Sequence, residues 1–531
     1  RRMSRLYAGF FASYSGLLVR RFRVLDIMWM SNALGMPFNP NTPIQVVIPT
    51  QFEGLSETDR QQLMNIPKIL RDNAAALKRE LGSAIEIIDS DPGDRPRWLI
   101  GPSQCNPVLT RSGWKPPDGP VLSLDRSKKV LITDAPTSAG VWETFSLLRS
   151  LAYFPGGIMP VRDCANIIEA IQRVIDEVGN SYPSFELRGL DWLSVCERHK
   201  ELVLSAANPI SAIQRWLSEL NDGHTWVRPA IPQSELLYEV WIENGVAVLS
   251  SVPIDSAAWR AGVRPGFRLQ DSTASEWYDR TAATPHSRPL IAGRRLLTGV
   301  AGAKRNMVAI SPDGKSYEWE DQYPTNPWEP VLTWKTLPSG AGYMKIKAWL
   351  RSKDIEDRID EALTALRGVP GLIVDMRGNP GGDIVLAEKF RSRFLREPQQ
   401  VGSIRYSISH RVLSEYEPIM AEPAQINQRW NGPVRFLTDP LTYSSSEDAL
   451  LGLQGLPHVE VIGERSGGGS GRMRSLRLLP GWKLTISTAL TYDRNGRCVE
   501  GAGIPVDRLV RVDRRSPPPV DIVLAEADRS W

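Results

Sequence analysis

Cysteine and histidine are scarce: the 531 residues hold four of the first and five of the second. Cys105, Cys164, Cys196 and Cys498 are scattered without C-x-x-C spacing, so neither a zinc site nor a disulfide scaffold is signalled. An excess of one charge is missing too. A net charge of +4 and the lack of any Lys/Arg tract argue against a dedicated nucleic-acid binder. Long hydrophobic runs are absent as well. The apolar body of MSRLYAGFFASYSGLLVRRF is too short to span a bilayer, and it lacks the small-x-small cleavage site of a secretory signal. The chain begins with Arg1, so a native start upstream stays open. A cytoplasmic protein is the expectation, with a periplasmic or secreted one in that other case.

What is present is a globular composition. With 42% hydrophobic and 23% charged residues the chain can bury a large core, and its length suits three or four domains. Up to about Pro160 the pattern is α/β: Ile44–Ile48 and Ala84–Ile88 read as strands with a long helix between them. Trp98–Gly101 and Lys129–Ile132 read as further strands. A helix follows, with Trp142, Phe145, Leu148 and Leu151 inward. This turn-plus-helix pattern faintly resembles the small non-catalytic α/β domain that precedes the barrel in β-hexosaminidases.

From Cys164 to His224 the spacing is helical. Ile167, Ile168, Ile171, Val174, Ile175 and Val178 form one stripe, and Asn208-Pro209 cap and open a second helix. That helix ends in Asn221-Asp222-Gly223-His224-Thr225, a turn that presents His224. Leu236 to Asp321 reads as a small β-rich domain, with Ser272–Pro289 as a Thr/Ala/Ser-rich insertion. From about Pro330 the pattern returns to α/β.

There the stretch GLIVDMRGNPGG, from Gly371 to Gly382, stands out. A buried strand breaks into a Gly-rich turn and reopens as a helix, which exposes unpaired amides suited to a phosphate or an acyl-transfer oxyanion. A plain tight connection explains it equally well. A phosphate site at GERSGGGSGR lacks the Lys-Ser/Thr ending of a P-loop. Ser444, after the strand Val434–Leu437 and before a helix over Asp448–Leu453, can be an exposed nucleophile or simply an N-cap with Glu447. A serine nucleophile needs a base. His199 reads as a helix-surface residue, His286 and His410 lack a helpful context, and His458 competes with His224. Glu500, before a Gly-rich turn, can orient an imidazole or sit on the surface.

LRGLDW, LNDGHT, LIVDMRGNPGG, TYSSSE, VIGERSGG and VEGAGIPVD, in that order from about Ile167 to Val510, resemble the tail-specific (C-terminal processing) serine proteases. The closer resemblance is to their tricorn-core and retinoid-binding-protein-like branch. It implies Ser444 as nucleophile, His224 as base and Glu500 as the orienting carboxylate. The amides of Ser445 and of Gly381 or Gly382 would form the oxyanion hole. Ser445 and Ser446 leave room for a one-residue shift. Where the Ser-Lys branch carries its lysine this chain has Gly469, so the resemblance implies a triad. It also implies a multidomain α/β fold. An N-terminal α/β domain would span 1–160, a helical segment 161–232, a PDZ-like β-rich insertion 233–325, and a crotonase-like catalytic core with its tail 326–531. The Ala261-Gly262-Val263-Arg264-Pro265-Gly266 stretch carries the PDZ likeness. No cofactor or metal is implied, and the partner would be a peptide or protein substrate, with the oligomeric state open. The rival expectations are a non-catalytic binding protein on the same scaffold, and an esterase or amidase using the same triad.

Overall fold

The computed structural model describes residues 42–72, 84–88, 93, 95–115, 118–125, 127–148, 157–231, 233–350, 354–469, 471–529 and 531. The N-terminal apolar segment and Leu151 lie outside them. The chain divides into two units, one of Arg1–Asp163 with Arg474–Leu476, the other of Cys164–Met473 with Arg477–Trp531.

In the first unit six strands form one sheet: β1 (Ile44–Val47), β2 (Ile85–Ile88), β3 (Arg97–Ile100), β4 (Val121–Asp125), β5 (Val130–Asp134) and β6 (Gly157–Pro160), in the order β2-β1-β3-β5-β4-β6. The run β2-β1-β3-β5 is parallel, and β1 is buried along its whole length, as a strand covered on both faces must be. Two helices, α1 (Glu57–Met64) and α2 (Ile66–Asp72), follow β1 where one long helix is expected. Pro67 explains the break, because it has no N–H for the preceding turn. Further on come α3 (Pro107–Arg111) and α4 (Ser138–Leu148).

The second unit opens with α5 (Ile167–Ser181), α6 (Trp192–Ser205) and α7 (Pro209–Ser218). On α5 the buried stripe is Ala170, Ile171, Val174 and Val178, while Ile168 is 67% exposed and so leaves the expected stripe. Asn208 caps α7 by accepting from the Ser211 amide at 3.1 Å. After β7 (Trp226–Pro229) comes a five-stranded antiparallel sheet of β8 (Glu239–Glu243), β9 (Val246–Ser251), β10 (Arg268–Leu269), β11 (Lys304–Ile310) and β12 (Ser316–Gln322). Helices α8 (Ala257–Arg260), α9 (Ala274–Asp279) and α10 (Arg288–Leu296) accompany it. The Thr/Ala/Ser-rich stretch read as an insertion is well packed, with Thr281, Ala282, Ala283, Thr284 and Ser287 buried.

The last part is built on a six-stranded sheet. Its members are β13 (Leu332–Thr336), β14 (Gly342–Ile346), β15 (Leu372–Asp375), β18 (Val434–Thr438), β19 (Val459–Gly463) and β22 (Arg508–Leu509), in that order. From β14 onward the sheet is parallel. Helix α11 (Ile355–Ala365) links β14 to β15, α12 (Ile384–Ser392) follows β15, and α13 (Ser445–Leu450) links β18 to β19. Between α12 and β18 the chain runs through β16 (Gln399–Ser409) and β17 (Glu417–Ala421). Later come β20 (Trp482–Ser487), which pairs with β7, β21 (Ala489–Asp493), which pairs with β16, and α14 (Ile522–Ala527).

Period-2 alternation sorts the core strands onto two faces. Leu372, Val374, Val434, Phe436 and Val461 pack with the apolar faces of α11, α12 and α13. Ile373, Leu437 and Ile462 point the other way, onto Val523 and Ala527 of α14. Each fully buried side chain of this kind stabilises the fold by about 1.5–3 kcal/mol. At the end of β15 the buried Asp375 accepts from Tyr343 Oη (2.8 Å) and Arg377 Nη2 (2.8 Å) and pairs with Lys345 Nζ at 3.1 Å. Although burial opposes its charge, Lys345 and Arg377 hold its carboxyl well below the usual range. The fold is therefore mixed α/β with several sheets. Its parallel core fixes where three neighbouring loops emerge.

Candidate active site

In an open parallel sheet the crevice beyond the carboxyl ends of the strands is where loops converge on a ligand. Strands β15, β18 and β19 lie side by side, and here their exits are Met376–Gly382, Asp439–Ser444 and Glu464–Gly469. Backbone bonds lace these exits together: Tyr443 N donates to Asn379 O at 2.9 Å, and Gly467 N to Thr442 O at 2.8 Å. Asp439 Oδ1 accepts from the amides of Gly378 (3.0 Å), Leu441 (3.0 Å) and Thr442 (2.9 Å). The Gly-rich turn is therefore a built loop whose geometry depends on its neighbours.

Ser444 is the N-cap of α13, with φ 59° and ψ −124°. A left-handed φ on a non-glycine residue is a strained arrangement that surrounding contacts must hold. They do. Glu447 Oε2 accepts from the Ser444 amide (3.0 Å) and the Gly469 amide (2.8 Å), and Oε1 from Gly468 N (2.7 Å) and Ser466 Oγ (2.5 Å). This buried carboxylate, pushed up to about 7 by burial against the pull of those four donors, fastens the serine turn to the 466–469 loop. The helix begins at Ser445, three residues earlier than expected, because the kink at Ser444 delivers the chain directly into its first turn.

The three adjacent serines are not equivalent. Ser445 Oγ donates to Gly382 O at 2.6 Å, and Ser446 Oγ accepts from Trp349 Nε1 at 3.0 Å; both residues are buried. Ser444 alone of the three is partly exposed. Gly381 and Gly382 lie against this turn. A Cβ on Gly381 would stand 2.7 Å from Ser444 Cβ and 2.9 Å from Ser445 N, and both glycines have positive φ, 98° and 137°. Their amides are engaged: Gly381 N donates to Asn379 Oδ1 at 3.0 Å, and Gly382 N to Ser445 Oγ at 3.2 Å.

His224 is buried, at 3% exposure, rather than free in a cleft. Asp222 builds its turn, accepting from His224 N and Thr225 Oγ1 at 2.8 Å each. The imidazole packs against Tyr443, with ring centroids 4.8 Å apart, so it stands beside the residue that precedes Ser444. Burial pushes its pKa down to about 4; Asp222 opposes this and Arg472 adds to it. The ring is therefore neutral at physiological pH. Glu500 is also buried, and its Oε1 accepts from Arg188 Nη2 at 2.6 Å. Burial, with the charge of Asp222, pushes the Glu500 carboxyl well above its ordinary range, and Arg188 opposes this. His224 and Glu500 are not hydrogen-bonded to each other: His224 Nδ1 and Glu500 Oε2 are both buried without a partner among the described residues.

The competing histidines are engaged elsewhere. His458 Nε2 bonds Phe394 O at 2.9 Å. The His458 carbonyl accepts from Val434 N, at the far end of β18 from Ser444 and roughly 15 Å away along the strand. His199 bonds Glu219, His410 bonds Gly179 O (2.6 Å) and His286 bonds Ser466 O (2.8 Å). Sequence reasoning named Glu447 as the capping partner of Ser444 but passed over Tyr443, Arg188 and His286 as members of this neighbourhood. Arg188 and Tyr443 lie inside motifs already noted, LRGLDW and TYSSSE, but nothing in those strings says which way a side chain points.

Residues 340–510 match the family model described as Peptidase family S41. Among solved structures the chain resembles mature CPAF complexed with lactacystin, at 12% identity and a TM-score of 0.51, over 66% of this chain and 94% of that one. It also matches the photosystem II D1 C-terminal processing protease, at 17% identity and a TM-score of 0.43, over 65% of this chain and 92% of that one. At such identity the CPAF likeness is one of fold. No protein among the curated ones matches.

Proposed function

We propose that this serine-type peptidase, whose residues 340–510 belong to peptidase family S41 of the tail-specific proteases, cleaves peptide bonds with Ser444 as its nucleophile. His224 takes the Ser444 proton, and Glu500 fixes the imidazole from behind. The observation that carries this reading is the contrast among the three serines: two have committed, buried hydroxyls, while Ser444 sits strained and partly exposed beside the His224–Tyr443 pair. A base whose imidazole is neutral near pH 7 is ready to accept a proton.

The tetrahedral intermediate's oxyanion would rest on the Ser445 amide at the start of α13 together with Gly381 or Gly382. The glycine amides turn to it only as substrate displaces Asn379 Oδ1 and Ser445 Oγ, which now accept from them. In this reading residues 326–531 are a crotonase-like catalytic core and 161–232 the segment that supplies the base. Residues 233–325 are a PDZ-like unit whose open sheet edge takes a peptide strand. Residues 1–160 form a further N-terminal α/β domain.

The test is labelling of the full chain with a fluorophosphonate, followed by mass-spectrometric location of the adduct. The expected adduct is on Ser444, absent in Ser444→Ala and strongly reduced in His224→Ala, with retention in Ser445→Ala. A folded wild-type protein that takes no label would overturn the nucleophile assignment and favour a binding protein on this scaffold. Labelling with ester but no peptide turnover would move the substrate class.

A further inference from the structure

Four polar atoms of the residues gathered here are buried without a partner among the described residues: His224 Nδ1, Tyr443 Oη, Glu500 Oε2 and Arg188 Nε. Buried polar groups are mostly paired, so a cluster of orphans at one site invites the question of what joins them. They do share a neighbourhood. The Tyr443 ring lies 4.8 Å from the His224 imidazole, centroid to centroid. Its hydroxyl rests against Gly223, where a Cβ would stand 2.7 Å from Oη, and on the other side against Gly469. The Gly468–Gly469 strip that receives the phenol also touches the Glu500 loop: Gly501 N donates to Gly468 O at 2.8 Å, and a Cβ on Gly468 would lie 3.0 Å from Gly501 C. Arg188 occupies Glu500 Oε1 and leaves Oε2 as the free acceptor.

We propose that Tyr443 is a positioning residue that bridges the base to its carboxylate, accepting from His224 Nδ1–H and donating to Glu500 Oε2. The Tyr443 hydroxyl can be donor and acceptor at once, which an imidazole and a carboxyl that do not meet need as a link. Arg188 on Oε1 works against the burial of Glu500 and favours the ionised form whose Oε2 accepts. Hydrogen bonds of this kind are commonly long in a ligand-free site and tighten with substrate. The bridge fixes the tautomer with Nε2 unprotonated toward Ser444. When Ser444 Oγ–H passes its proton to Nε2, the imidazolium keeps its Nδ1 proton, donated to Oη, and no proton leaves Tyr443. Burial and the carboxylates of Glu500, Asp222 and Glu447 push the phenol's pKa well up, against Arg188, so it keeps the proton it must donate. Arg295 adds a further positive charge beside it, and Arg472 one beside His224. The small residues at Gly223, Gly467 and Gly469 are then explained, since any side chain there would evict the phenol.

This proposal rests on the Ser444–His224–Glu500 reading, and one experiment separates the two. The rate of fluorophosphonate labelling of Ser444 is measured from pH 4 to 9 in wild type, Tyr443→Phe, Glu500→Gln and the double variant, with thermal melts as a folding check. Phenylalanine keeps the ring and removes only the hydroxyl. The expected result is a fall of about 10- to 100-fold in Tyr443→Phe, the scale of one or two buried hydrogen bonds. The acid limb of its pH profile should move, and the double variant should be no slower than Glu500→Gln alone. Wild-type rates in Tyr443→Phe, or losses that multiply in the double variant, would overturn the bridge in favour of a water or a direct contact. An unlabelled Ser444 in wild type, or His224→Ala labelling at the wild-type rate, would overturn the underlying triad and the bridge with it.

Discussion

Gly381→Ala isolates the close approach of the Gly-rich turn to the serine. Two costs are expected from it. The first is conformational, since φ is 98° and an L side chain there costs about 1–2 kcal/mol. The second is steric: the new methyl would meet Ser444 Cβ at 2.7 Å, Tyr443 O at 2.8 Å and Ser445 N at 2.9 Å, atoms of the backbone or attached directly to it. Overpacking of that kind adds about 1–3 kcal/mol, for a loss of roughly 2–5 kcal/mol in all. Gly340→Ala is the matched control, with φ 89° and nothing within 4 Å of the added methyl, so it carries the first cost without the second. Urea unfolding followed by tryptophan fluorescence compares the two stabilities, and the fluorophosphonate labelling rate reads the site. Because the backbone beneath Ser444 must shift by several tenths of an ångström, labelling in Gly381→Ala should fall by roughly tenfold, short of the roughly 10²-fold cost of a 1 Å misplacement. Gly340→Ala should label at the wild-type rate. If the two variants lose the same stability and both label normally, the Gly-rich turn does not press on the nucleophile and the site geometry argued above is wrong.

Two further predictions concern charge. In the proposed triad the active form of His224 is the neutral imidazole, and burial pushes its pKa down to about 4, so His224 should leave the Ser444 labelling rate unchanged from pH 8 to about 5 and lower it below about 4. A step near 7 belongs to Glu447, pushed up to about 7, and should vanish in Glu447→Gln. A midpoint near the ordinary histidine value of 6.5 that persists in Glu447→Gln would show that another histidine, or an exposed His224, acts as base. Asp375→Asn should cost about 3–5 kcal/mol in urea unfolding, because it leaves Lys345 and Arg377 at the strand end without their shared carboxylate. With its pKa held below the ordinary 3.8, Asp375 contributes stability that is present above that value and lost as pH falls further. A wild-type midpoint in the variant would refute this.

The strand Leu372–Asp375, its break at Gly378–Gly382 and the helix from Ile384 were all legible in the order of residue types. Apolar runs, φ-permissive glycines and the Asp383 cap act locally, over a few neighbours. The Asn208 cap and the buried Ile171, Val174 and Val178 of the expected stripe were legible for the same reason. Ile168 was not, because a stripe read from spacing has no edge until a partner surface covers it. Nor was the packing of Thr281–Ser287, within the stretch read as an insertion; Thr284 Oγ1 donates to Gly467 O at 2.7 Å, across 183 residues of sequence.

The candidate site divides along the same line. Residue type and local turn left Ser444, His224 and Glu500 each with a plain structural alternative; the resemblance of the ordered motifs to the tail-specific proteases singled them out, with a one-residue ambiguity among the serines. Tertiary structure sets them apart: Ser445 and Ser446 are buried and hydrogen-bonded, while Ser444 is partly exposed. It also put the alternative base His458 at the wrong end of β18 and wedged Tyr443 beside His224. Residues 219 to 312 positions apart meet here, His224 with Tyr443 and Arg188 with Glu500. Local propensity sets what a segment can become, but which side chains face one another depends on the register of a parallel sheet whose strands are joined through long crossovers.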